Sequence, residues 1–112
     1  MAKTKIPVMR PVVGTDTLNG VPVRLLGLLD GESQHAKRIG EEEAEDYMRE
    51  ILPRLLQDEN GEELDFNVGD ISTIEVKRIF FSVCRANREA GEKAIADFLK
   101  PPVTGGSGGT SE

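Results

Sequence analysis

Three stretches of the chain carry an ordered pattern of apolar and polar positions, and each predicts a different element. The first is a pair of short runs, Thr15-Asp16-Thr17-Leu18 and Val21-Pro22-Val23-Arg24-Leu25, set on either side of Asn19-Gly20. That dipeptide suits the positive φ angles of a type I′ turn, so the pair reads as a β-hairpin. Pro22 has no N–H for a ladder bond, which places its strand at an edge or turns that position outward, and an edge there can pair with another subunit. The second stretch begins at Glu41. Ala44, Tyr47, Met48, Ile51, Leu52, Leu55 and Leu56 form the stripe of an amphipathic helix with a strongly acidic start. Pro53 interrupts its hydrogen-bond ladder at the carbonyl of Arg49, so a kink or a fresh turn is expected there with the apolar face preserved.

The third stretch is a helix with two apolar faces. Ser72 followed by Glu75 is a capping box, which sets the helix start within a residue or two of Ser72. At about 100° per residue, Val76, Ile79, Phe80, Val83, Cys84 and Asn87 gather on one side, the expected core face. Ile74 and Phe81 fall a heptad apart on nearly the opposite side, flanked by Lys77, Arg78, Arg85 and Arg88. Two arrangements satisfy this pattern. Either Ile74 and Phe81 pack under the hairpin or beneath Phe66, burying the helix on both sides, or they face a partner. In the second case Ile74, Phe81, Arg78, Arg85 and Arg88 are the contact residues, and the acidic block Glu41, Glu42, Glu43, Glu45 and Asp46 can meet the arginine rim of a neighbouring subunit.

The remaining segments punctuate these elements. Residues 1–10 form an extended basic arm, with Lys3, Lys5 and Arg10, no acid, and Pro7 to keep it from coiling. Asp30-Gly31-Glu32-Ser33 turns into a short helix through Gln34 to Ile39. Asp58-Glu59-Asn60-Gly61 ends the second helix, after which Leu64 and Phe66 drop back as anchors. The third helix runs to about Ala90 with Gly91 as its left-handed stop, and Lys93 to Leu99 make one more short segment before Pro101-Pro102. The expected organisation is one α+β domain, mainly helical, over residues 11–100. An N-terminal hairpin is followed by three to four helices, and residues 101–112 form a Gly/Ser-rich tail unable to bury enough surface to order itself.

Composition narrows the function. A chain of 112 residues with 4% aromatic content supports one small core, so association should help its stability. A formal charge of −6 disfavours nucleic acid, whose non-specific affinity comes from a basic field. No apolar run is long enough for a signal peptide or a membrane span, and one cysteine forms no internal disulfide, which points to a soluble, reducing compartment. Catalytic groups are scarce as well. His35 and Cys84 are far apart in sequence, and a thiol on an apolar helix face stays protonated. Adjacent helical carboxylates such as Glu41 to Glu43 fan outward and make a poor metal site, and Asp58, Asn60 and Glu62 lack the remaining ligands of a calcium loop. No catalytic, cofactor or metal role is therefore expected, and function has to come from surfaces.

Read in order, the basic arm, the hairpin ending in Val21 to Leu26, the turn at Asp30-Gly31-Glu32, the acidic helix, the Asp58-Glu59-Asn60-Gly61 turn, Phe66 and the closing helix resemble the tail assembly chaperones of long-tailed, siphovirus-like bacteriophages. The resemblance covers about residues 4 to 100. It implies a non-enzymatic protein that coats the tape measure protein in the host cytoplasm, is displaced by tail tube protein, and is absent from the mature virion. A homo-oligomer is compatible with it. The family is often made in two forms through a ribosomal frameshift, for which the Gly105 to Gly109 region would suit the junction. Pro53 inside the second helix and the lack of an extension domain depart from the family layout. Two other readings remain open at this point. One is a head-tail connector or tail-completion subunit that stays in the particle. The other is an acidic inhibitor of a host nucleic-acid enzyme, which requires a continuous acidic surface where the third helix is basic.

Overall fold

Asn19 and Gly20 take φ angles of 49° and 83°, and the chain reverses on them as the turn chemistry predicts. In the computed structural model, which describes residues 3–100, this turn joins β1 (Val12–Leu18) to β2 (Val21–Leu26) in an antiparallel pair. Residues 3–11 carry no helix or strand. The tail expected over 101–112 lies outside the described residues, as do Met1 and Ala2. A bulge between Val12 and Gly14 shifts the register and lays Gly14 against the later helix. A methyl group at Gly14 would sit 3.2 Å from the Ala86 Cβ, so any larger residue there makes α3 give by a few tenths of an ångström.

The sheet has a third strand that the sequence pattern did not reveal. After α1 (Asp30–Arg38) and α2 (Glu41–Leu55), residues Leu56–Asp58 form β3, antiparallel to β2, and the strand order is β1-β2-β3. The strand carrying Pro22 is thus central, not an edge. Pro22 is tolerated because β3 covers only Val23 to Leu25, leaving it exposed beyond that strand's end. Helical structure continues past Pro53 to Leu55, so no new helix starts there. Pro53 occupies an exposed position two residues before the helix ends, where one lost ladder bond matters little. The Asp58–Gly61 turn follows β3, and the Asp58 Oδ1 accepts the N–H groups of Asn60 and Glu62 at 2.8 and 2.9 Å.

A 3-10 turn (Val68–Asp70) leads into α3 (Thr73–Leu99). Gly91 does not stop this helix, which runs unbroken for 27 residues, about 40 Å at 1.5 Å per residue. The core lies between the sheet and the two long helices. It joins Leu18, Val23, Leu25 and Leu56 of the sheet to Met48, Ile51, Leu52 and Leu55 of α2, and to Val76, Ile79, Phe80 and Val83 of α3. Leu64 and Phe66 pack against this cluster as expected. Each such side chain, fully buried, contributes roughly 1.5–3 kcal/mol, so the cluster outweighs the surface ion pairs in holding the fold. The observed class is α+β.

Candidate functional site

Local capping sets the phase of α3 and hence what it shows outward. The Ser72 Oγ accepts the Glu75 N–H at 3.1 Å, which fixes the first turn and points Val76, Ile79, Phe80 and Val83 inward. Ile74 and Phe81 then project away from the core, 81% and 59% exposed. Neither lies under the hairpin or beneath Phe66, so the arrangement with α3 buried on both sides is not the one adopted. Continuity through Gly91 extends the same side of the helix. Ile95, Phe98 and Leu99 are all strongly exposed, and Ile74, Phe81, Arg88 and Ile95 recur every seven residues along one stripe. Every residue from Gly91 to Lys100 is exposed, so the last turns of α3 project beyond the packed body. Reading Gly91 as a stop hid this extension, although the heptad spacing from Ile74 could have found it.

The basic residues around the stripe divide into two kinds. Arg78 is taken up within the chain: its guanidinium donates to both oxygens of Asp16 at 3.1 and 3.2 Å and to Glu75 at 2.8 and 2.9 Å, and to the Thr17 carbonyl. Ser82 donates its hydroxyl to the same Asp16 at 2.6 Å, while Glu75 accepts the Asn19 N–H at 3.0 Å. Together these bonds clamp the hairpin onto α3. Hydrogen bonds from Arg78 and from the Asn19 N–H hold the Glu75 carboxyl down to about 2. At Asp16, burial pushes the carboxyl up, but the bonds from Ser82, the Thr17 N–H and Arg78 outweigh it and the net shift is downward. Glu75 thus serves the hairpin, not the N-terminal N–H of its own helix as a capping box would have it.

Arg85 and Arg88 are different. Both are exposed and, among the described residues, neither side chain makes a hydrogen bond or an ion pair within the chain. The acidic block lies across from the lower half of the stripe. α2 opens with Glu41, Glu42 and Glu43, and Glu45 accepts the Thr73 hydroxyl at 3.3 Å and pairs with Arg49 at 3.4 Å. Between the two helices runs a groove of about 290 Å³ lined by Glu41, Ala44, Glu45, Met48, Lys77 and Phe81. The face therefore has an apolar seam, the carboxylates of α2 with Lys77 beside residues 73–81, and a mixed-charge stretch further on where Glu89 and Glu92 follow Arg85 and Arg88 by one turn. Such a face can bind a partner, with affinity from the seam and orientation from the charges.

Other candidate groups fall into packing roles. Burial raises the Cys84 thiol, as expected for its place on the core side of α3. His35 lies edge-on to Tyr47, with ring centroids 4.6 Å apart. Arg10, read as part of the basic arm, folds back to form a bidentate pair with Glu32 at 2.6 Å and to donate to the Gly27 carbonyl at 3.1 Å. Among the described residues, no group of three or more His, Cys, Asp or Glu side chains is placed to hold a metal ion, and no helix is long and apolar enough to cross a membrane. No protein family, curated protein or solved structure matches the chain.

Proposed function

We propose that this protein is a non-enzymatic tail assembly chaperone of a long-tailed phage, which binds helical segments of the tape measure protein and keeps them soluble while tail tube protein polymerises. The observation that carries the proposal is the outward stripe of α3, with Ile74, Phe81, Ile95, Phe98 and Leu99 left exposed on one long helix. A heptad-spaced stripe is the surface an amphipathic helix docks on, and a tape measure protein is a long, largely helical chain whose apolar stripes need cover. Few anchors per copy make each contact weak once the entropy of association is subtracted. Many copies along one client still hold it, and tube subunits can displace them one at a time. The net charge of −6 keeps such a complex soluble. On this reading the protein acts in the host cytoplasm and leaves before the virion is complete.

The test is to express a phage tape measure protein with and without this chain and to measure the soluble fraction, alongside mass spectrometry of purified virions. A tape measure protein made soluble by the chain, with the chain absent from virions, supports the chaperone. Stable presence of the chain in virions would replace it with the connector or tail-completion reading.

A further inference from the structure

The hairpin carries complementary surfaces at its two ends, a basic apolar arm at the open end and an apolar cavity with an acidic rim at the turn. We infer that the arm of one copy docks in the cavity of another, with Ile6 and Val8 as anchors and Lys3 and Lys5 on the rim.

The arm is tied down at its root alone. Arg10 makes its largely buried pair with Glu32, and the Gly27 N–H donates to the Pro11 carbonyl at 2.8 Å, which fixes the chain at the open end of the hairpin. Residues 3–9 before it are all exposed and carry no helix or strand, and Ile6 and Val8 are 82% and 77% exposed. Pro7 and Pro11 hold the residues before them extended. In an extended segment Ile6 and Val8 share one side, and Lys3 and Lys5 share the other. No acid precedes Asp16 in the chain.

The cavity has the matching character. It lies between Leu18, Val21 and Val23 at the turn end of the hairpin and Leu64, Phe66 and Ile71 of the later loop, and holds about 190 Å³. An apolar cavity of about 150 Å³ takes a benzene-sized group, so this one has room for an isoleucine side chain. Asp65 lines it, while Glu63 and Asp70 adjoin lining residues. All three are exposed, and among the described residues none makes a side-chain hydrogen bond or ion pair. Residues 57–72 as a whole hold six acids and no base. The arginines bonded to this region bring their own carboxylates: Arg49, on the Ile71 carbonyl, pairs with Glu45, and Arg78, on the Thr17 carbonyl, pairs with Asp16 and Glu75. Arg24 is one residue out of step with Val23, so it belongs to the opposite face of the sheet, where it approaches Gly61.

The receiving cavity belongs to another copy. The arm is rooted where Val12 pairs with Leu26, and the cavity sits where Leu18 pairs with Val21. The strand between them covers about 20 Å at about 3.3 Å per residue. Ile6 stands at most about 14 Å from Arg10, so it falls short of the cavity in its own chain. Arm and cavity are different surfaces, and each copy gives one and offers the other. Two copies exchanging arms, or a longer series, both satisfy the contact.

The experiment is sedimentation equilibrium of the full chain over a range of concentration, at low and high salt. The expected result is a mass above the 12.2 kDa of one chain that rises with concentration and weakens as salt rises. Removing residues 1–9, which keeps Arg10 in place, should give a monomer with an unchanged circular dichroism spectrum, and Ile6→Asp with Val8→Asp should do the same. Lys3→Glu with Lys5→Glu, and Asp65→Lys with Asp70→Lys, should each be monomeric alone and associate when mixed in equal amounts, because both arm contacts are then restored with their signs exchanged. Phe81→Asp, outside both surfaces, should associate as the parent does. A monomer at every concentration, association that survives removal of residues 1–9, no recovery on mixing, or loss of association in Phe81→Asp would each overturn the inference. The outward stripe of α3 takes no part in this contact, so the tape measure solubility result stands or falls separately.

Discussion

Arg78 and Arg85 are indistinguishable in the sequence, both basic residues beside an outward apolar stripe, yet they do opposite work. Arg78 reaches across to Asp16 and the Thr17 carbonyl on the hairpin, whereas Arg85 makes no such bond among the described residues. The sequence places both on the correct side of α3 but says nothing of what the hairpin brings to meet them. Arg78→Ala should therefore lower stability by roughly 1–2 kcal/mol in urea denaturation, because it strips charged hydrogen bonds from Asp16 and Glu75. Arg85→Ala and Arg88→Ala should stay within about 0.5 kcal/mol of the parent. Equal losses in all three would mean that the clamp is not what Arg78 supplies. The same clamp predicts an acid response. Glu75 has an ordinary value of 4.5 and sits at about 2 when folded, so between these values the unfolded chain binds more protons. Its contribution is thus complete above pH 4.5 and is lost as the pH falls toward 2, and Asp16 and Glu32 shift in the same direction. Melting temperature should fall through this window, and Glu75→Gln should fall less steeply. An acid limb of equal slope in the variant would remove Glu75 from the account.

At the scale of elements, what was legible followed from local chemistry, and what was not followed from tertiary contact. The hairpin, the Ser72 start of α3, and the inward faces of α2 and α3 are written in turn residues, a cap and a period. β3 is not, because Leu56 continues the helical spacing of α2 and becomes a strand only where β2 offers an unpaired edge at Val23 to Leu25. Gly91 misled for a related reason: glycine is the usual helix stop, but it is only about 1 kcal/mol worse than alanine inside a helix, too little to end one by itself. Nothing lies within 4 Å of a methyl group placed there, so the position is free of packing demands. Gly91→Ala should then strengthen the end of α3 by about 0.5–1 kcal/mol, seen as higher helicity and slower amide exchange across residues 88–99. Unchanged exchange in that segment would indicate that the projecting turns are held by something other than their own helical ladder.

For the whole molecule, the distribution of apolar surface separates folding from binding, and neighbouring residues fall on either side of the line. Phe80 is 4% exposed within the core and Phe81 is 59% exposed beside it. Periodicity alone assigned those two faces, since one step of about 100° is enough to divide them. What the sequence could not give was the groove that α2 adds beside Phe81, or the reach of the stripe past Gly91. Phe80→Asp should unfold the chain by burying a charge, while Phe81→Asp should keep its helicity. Equal loss of helicity in both would remove the division. Ile95→Ser with Phe98→Ser changes only exposed positions on the projecting end of α3, so the fold should persist while the soluble fraction of co-expressed tape measure protein drops toward its level without the chain. Full solubilisation by this variant would place the client contact elsewhere on the molecule.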